Sequence, residues 1–126
     1  MKLNHVTILV ANRLKAVEFY SSNLGLETIE KGKSRWMKIG DQYLHLAQNS
    51  SKPIKNSFYH FCLSVNKIIP FIEKLVTKGI DVFDLDKDMI KKDINQNFQK
   101  KDRQFFINDL DGNLIELIDE NNEYFE

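Results

Sequence analysis

The chain has 126 residues, 42% of them hydrophobic and 29% charged, the profile of one folded globular domain rather than a disordered or multidomain protein. Eighteen Lys and Arg balance eighteen Asp and Glu, so no net field draws the molecule to nucleic acid or to an anionic membrane, and a small-molecule or protein partner is expected. The single cysteine, Cys62, excludes an intrachain disulfide, a CxxC redox motif and a zinc ribbon. The opening MKLNHVTILV lacks the long apolar run of a signal peptide, and no segment holds the ~18 apolar residues that span a bilayer, so a cytoplasmic location is expected.

In chain order, residues 3–10 alternate so that His5, Thr7 and Leu9 share one face and Val6, Ile8 and Val10 the other, which predicts a two-faced strand. Asn12 is a predicted N-cap for a helix carrying Leu14, Val17, Tyr20 or Ser21, and Leu24 at helical spacing, closed by Gly25. Three short strands follow, predicted at Leu26–Glu30, Ser34–Ile39 and Tyr43–Gln48, with turns at Gly32 and Gly40-Asp41.

After the polar stretch 49–57 the plan restarts. Phe58–Val65 alternates, with His60, Cys62 and Ser64 opposing Phe61, Leu63 and Val65. Asn66 is the predicted cap of a second helix, with Pro70 in its first turn, Ile68, Phe71, Ile72, Leu75 and Val76 on one face, and Gly79 at its end. Strands are predicted at Ile80–Phe83, Gln104–Ile107 and Leu114–Ile118, the last two joined by the turn 108–113. Between them, Asp84–Arg103 reads as a long loop. Its stretch from Lys87 holds six Lys or Arg against three Asp, and it is expected to act as a lid bringing Lys91, Lys92 or Arg103 to an anionic substrate.

The two halves overlay. HVTILV at His5 matches HFCLSV at His60, Gly25 and Gly79 follow those histidines by 20 and 19 residues, and Leu44-His45-Leu46 matches Ile115-Glu116-Leu117. Alternation sets the apolar flanks of each triplet against a helix and leaves His45 and Glu116 on the opposite face. Four repeat-related positions thus carry His5, His45, His60 and Glu116, which include every histidine of the chain. A half of this size is marginal alone, so the sheets are expected to curve against each other, or against a second chain, around a cleft. Imidazole and carboxylate together suit a divalent zinc, nickel, manganese, iron or cobalt ion in a catalytic site with room for substrate. Such an ion polarises neighbouring substrate oxygens, and Glu116 or His45 is the candidate to carry a proton.

The stretches LNHVTILVANRLKAVEFYSSNLGLE, YHFCLSV and FFINDLDGNLIELID resemble the vicinal oxygen chelate superfamily, which includes glyoxalase I, fosfomycin-inactivating enzymes, extradiol dioxygenases and bleomycin-resistance proteins. The resemblance implies an α+β fold of two tandem βαβββ modules, about 1–50 and about 57–120 of a single domain 1–126, forming a curved mixed sheet around a cleft. It also implies a metal held by His5, His60 and Glu116. Bacterial glyoxalase I usually has Glu where His45 stands, so His45 is a candidate fourth ligand or acid-base group. The fosfomycin enzymes place a residue like Thr7 near the substrate. They and the extradiol enzymes expect Tyr where Phe106 stands, and the basic C-terminal extension of the former is replaced by acidic DENNEYFE.

The expected function is therefore that of a metal-dependent lyase or transferase acting on a small substrate with vicinal oxygens, including a thiol adduct. A non-catalytic drug-binding module and an extradiol-type dioxygenase are the competing readings. Thr7, Trp36, Phe106 and Arg103 are the candidate substrate contacts, with Met37 and Tyr43 as further wall residues, while Cys62 reads first as a small packed hydrophobe. By the same resemblance a homodimer is expected, with His5 and His45 of one subunit facing His60 and Glu116 of the other.

Overall fold

The structure is a computed structural model and describes residues 1–49, 57–94 and 104–121. These divide into two compact units, one of residues 1–49 with 109–113 and the other of residues 57–94, 104–108 and 114–121. No helix among them is long and apolar enough to cross a membrane.

The first unit runs β1 (His5–Val10), α1 (Arg13–Leu24), β2 (Glu27–Lys31), β3 (Ser34–Ile39) and β4 (Gln42–Gln48). Its sheet has the order β1-β4-β3-β2, with β1 parallel to β4 and the other pairs antiparallel. Strand alternation buries Ile8 and Val10 with Met37, Leu44 and Leu46 and leaves His5 and Thr7 on the other face. Helix α1 begins where the Asn12 side chain accepts from the Lys15 amide at 3.0 Å, and it ends at left-handed Gly25, φ 70°. Of the expected stripe, Tyr20 and Leu24 are buried together with Ala16 and Phe19, whereas Leu14 is 69% exposed. Tyr20 turns inward because its hydroxyl donates to buried Asp109 Oδ2 at 2.7 Å, which satisfies both groups out of water.

Asp109 also organises its own turn. Its Oδ1 accepts from the amides of Asp111 and Asn113 at 2.9 and 2.8 Å, and Asn113 Nδ2 donates to Asp109 Oδ2 and to the Leu9 carbonyl. Burial first, and the Asp109 carboxylate second, push the Tyr20 phenol well above its usual range, so it remains a donor.

The second unit runs β5 (His60–Val65), α2 (Ile68–Thr77), β6 (Phe83–Leu85), β7 (Lys91–Asp93), β8 (Gln104–Asn108) and β9 (Leu114–Asp119). The order β5-β9-β8-β6-β7, with β5 parallel to β9, repeats the first sheet and adds one edge strand. The chain thus has the two-module α+β architecture anticipated from its repeat. Every residue of central β9 is buried, which places the carboxylates of Glu116 and Asp119 out of water and obliges each to find donors.

Two local expectations are corrected here. Asn66 does not cap α2: Lys67, left-handed at φ 53°, stands at the N-cap with no side-chain capping bond, and the Ile68 amide donates instead to Asp119 Oδ2 at 3.3 Å. The cap is therefore supplied from β9. The segment expected as a loop from Asp84 holds the β6–β7 hairpin, because Asp86 Oδ1 accepts from the amides of Asp88 and Ile90 at 2.8 and 2.9 Å and closes a tight turn. Lys91 lies on that hairpin, paired with Asp81 and 4.6 Å from the centroid of the Phe83 ring. Lys92 is exposed, and Arg103 lies outside the described residues.

Candidate metal centre and substrate face

In the first unit, cross-strand register opposes Thr7 to His45, His45 to Trp36, and His5 to Tyr43, so all five side chains share the face away from α1. Trp36 lies flat on His45 at 4.1 Å between centroids and 14° between planes, and it meets His5 edge-on at 4.9 Å. The two imidazoles are 6.4 Å apart. His5 Nδ1 donates to Asn4 Oδ1 at 2.8 Å, which leaves Nε2 as the lone-pair nitrogen of the neutral ring. His45 Nδ1 is only loosely bound to Thr7 Oγ1 at 3.4 Å. Partial burial, then the positive potentials of His5 and Arg13, lower the His45 imidazole from its usual range, so near neutral pH it is uncharged and able to accept a proton. Trp36 Nε1 is buried and has no hydrogen-bond partner among the described residues.

In the second unit the register opposes Cys62 to Glu116 and Glu116 to Phe106. His60 is diagonal to Glu116 as His5 is to His45. Here the polar atoms converge. His60 Nε2 is 2.9 Å from Glu116 Oε2, Gln104 Nε2 donates to Glu116 Oε1 at 2.7 Å, and Cys62 stands opposite Glu116 in the register. The carboxylate is almost fully buried, at 4% exposure. Phe106 packs edge-on to His60 at 5.8 Å and belongs to an apolar cluster with Phe83 and Leu114. Cys62 is exposed rather than packed as a small hydrophobe, and partial desolvation, then the Glu116 carboxylate, push its thiol up to about 12, which favours the protonated form at neutral pH.

Residues 2–117 match the profile of the Glyoxalase/Bleomycin resistance protein/Dioxygenase superfamily. The chain belongs to this superfamily. The metallothiol transferase FosB of Staphylococcus epidermidis is 28% identical over 122 residues, covering 91% of this chain and 81% of its own length. A glyoxalase family protein from Bacillus anthracis superposes with a TM-score of 0.73 at 24% identity, covering 94% of both chains. The fosfomycin resistance protein FosX of Listeria monocytogenes superposes with a TM-score of 0.72 at 17% identity, covering 94% of this chain and 93% of its own.

The second unit brings together two donor atoms of kinds that bind divalent ions, His60 Nε2 and Glu116 Oε2. A carbonyl only accepts, so the 2.7 Å contact from His60 Nδ1 to Phe58 O fixes the hydrogen on Nδ1. Nε2 and Oε2 then confront each other with lone pairs unless a positive centre, proton or metal ion, lies with them. Anchoring of the distal nitrogen is also what a metal-ligating imidazole needs, and His5 has the same arrangement through Asn4. Within neither unit do the described residues gather three His, Cys, Asp or Glu side chains around one point. Strand parity and the repeat single out the candidates His5, His45, His60 and Glu116 but pass over Gln104, which bonds Glu116. Its signal is its position two residues before Phe106, which puts it on the face of Glu116 once β8 pairs antiparallel with β9.

Proposed function

We propose that the chain is a metal-dependent enzyme of the glyoxalase and fosfomycin-resistance kind, transferring a thiol to, or rearranging a thiol adduct of, a small substrate with adjacent oxygens. The observation that carries this reading is the buried Glu116 carboxylate aimed at His60 Nε2, whose other ring nitrogen is already committed to a backbone carbonyl. The likeness to FosB over most of both chains favours thiol transfer. Phe106, where the resemblance to the fosfomycin enzymes leads one to expect Tyr, points away from a phosphonate as the substrate.

In this reading His5, His60 and Glu116 hold a divalent zinc, nickel, manganese, iron or cobalt ion, with His45 as fourth ligand or proton carrier. When bound, the ion supplies a Lewis acid for the vicinal substrate oxygens. The chain's residues do the rest. With Thr7 Oγ1 accepting from His45 Nδ1, His45 Nε2 takes a proton from the entering thiol and returns it to the alkoxide formed when the thiol adds, or, with a thiol adduct, takes a proton from the carbon that bears the thiol and delivers it to the adjacent carbon. Trp36 holds that imidazole by stacking, Phe106 supplies an apolar wall beside His60, and Arg103 is the candidate for an anionic group of the substrate. The cytoplasmic homodimer with shared sites belongs to the same proposal.

Purified protein reconstituted with each of the five ions and assayed for bound metal tests it. Wild type should retain one ion per site, and His5→Ala, His60→Ala and Glu116→Ala should each lose it. Reconstituted wild type should consume an epoxide or hemithioacetal in the presence of a low-molecular-mass thiol. Absence of stoichiometric metal under every condition would overturn the reading. Light scattering tests the dimer, and recovery of activity on mixing inactive His5→Ala and Glu116→Ala subunits tests shared sites.

A further inference from the structure

We infer that Gln104 is a positioning residue that makes Glu116 a one-oxygen ligand, and thereby keeps a coordination position open for substrate. The inference rests on the metal reading of His60 and Glu116. Gln104 stands at the start of β8, opposite Ile118 and two residues before Phe106, so its side chain is diagonal to Glu116 on the same sheet face. Its amide nitrogen donates to Oε1 at 2.7 Å, while Oε2 is the oxygen that meets His60 at 2.9 Å. The two carboxylate oxygens therefore have different occupations. One is held by an uncharged donor that cannot be displaced without stranding a nearly buried acceptor, and the other faces the imidazole lone pair.

A free carboxylate can rotate and give a cation both oxygens. With Oε1 tied down, only Oε2 is presented, and the position that a second oxygen would take remains for a substrate oxygen or water. An uncharged amide suits this task. A Lys or Arg there would neutralise the carboxylate and weaken its hold on a cation, whereas Gln orients it and leaves its charge intact. In the first unit the matching place, two residues before Trp36, is filled by Ser34, and His45 at the Glu116-equivalent position has no second oxygen to restrain.

The test uses Co²⁺ as both ligand and reporter. Wild type, Gln104→Met, which keeps the length but removes the donor, and Gln104→Glu, which keeps the shape and removes the donor, are titrated with cobalt chloride. Affinity is read by competition with a chelator and coordination by visible absorption. Circular dichroism of each metal-free variant identifies those that are folded, and the second variant serves if the first is not. Wild type should bind one Co²⁺ with the more intense bands of a low coordination number. A folded variant should bind it roughly 10- to 100-fold more weakly, the range typical of lost outer-shell partners, and Gln104→Met at saturating cobalt should show weaker bands because the second carboxylate oxygen has entered. Unchanged affinity and an unchanged spectrum in a folded variant would overturn the role of Gln104. Failure of wild type to bind Co²⁺, or binding insensitive to Glu116→Gln, would instead overturn the metal reading beneath it.

Discussion

The two modules use one register for two different purposes. In each, a strand-opening histidine sits diagonal to a residue on the central strand, with Thr7 opposite that residue in the first module and Cys62 in the second. In the first module the central residue is His45, stacked on Trp36, in loose contact with Thr7 and uncharged near neutrality. In the second it is Glu116, gripped by His60 and Gln104. A shared backbone thus carries an aromatic platform in one half and a polar clamp in the other. The clamp is the better arranged for a cation, because its carboxylate is buried and its imidazole partner is fixed from behind. The platform is the better arranged to stack against an organic group and move a proton.

The largest expected difference between the halves is in metal affinity. Glu116→Ala should lower it by more than the roughly 100-fold that outer-shell losses reach, whereas His45→Ala should lower it by under about 10-fold, since His45 lacks such a clamp. Equal losses in isothermal titrations would erase the functional distinction between the modules.

The helix sides differ in how buried polar groups are satisfied, and this gives the next effect. Tyr20→Phe removes a donor from Asp109 and should destabilise the fold by about 1–3 kcal/mol at neutral pH in urea unfolding. Because folding raises the Tyr20 phenol above its ordinary value of 10.0, this contribution is complete below pH 10. It is lost as the unfolded chain ionises above that pH, so the gap between wild type and Tyr20→Phe should narrow there. A gap that widens would contradict the buried pair.

The helix caps provide a smaller contrast. Asn12→Ala should lower stability by about 1 kcal/mol, while Asn66→Ala should change it by less than about 0.5 kcal/mol, since Asn66 caps nothing. Lys67→Gly should raise stability by up to about 1 kcal/mol by relieving the left-handed backbone. Thermal unfolding of the three variants checks the ranking, and a larger loss for Asn66→Ala than for Asn12→Ala would reverse it.

Much of this was legible in the sequence because strand parity and helix punctuation are local. The alternation around His5 and His60, the cap at Asn12 and the turn at Gly25 all follow from neighbouring residues and agree with the structure. The misread features depend on partners distant in the chain. Asn66 is unused because Asp119 receives the first amide of α2. Gln104 gains its role only when β8 and β9 pair. The four candidate ligands were found by internal repetition, whereas the residue that orients one of them has no counterpart in the other half to reveal it.

The most direct test of the central claim is anomalous diffraction from crystals of the protein grown with zinc or manganese. The account predicts a single strong peak within bonding distance of both His60 Nε2 and Glu116 Oε2, on a carboxylate whose Oε1 still accepts from Gln104. A fully occupied ion elsewhere, with His60 and Glu116 still paired only to each other, would contradict it.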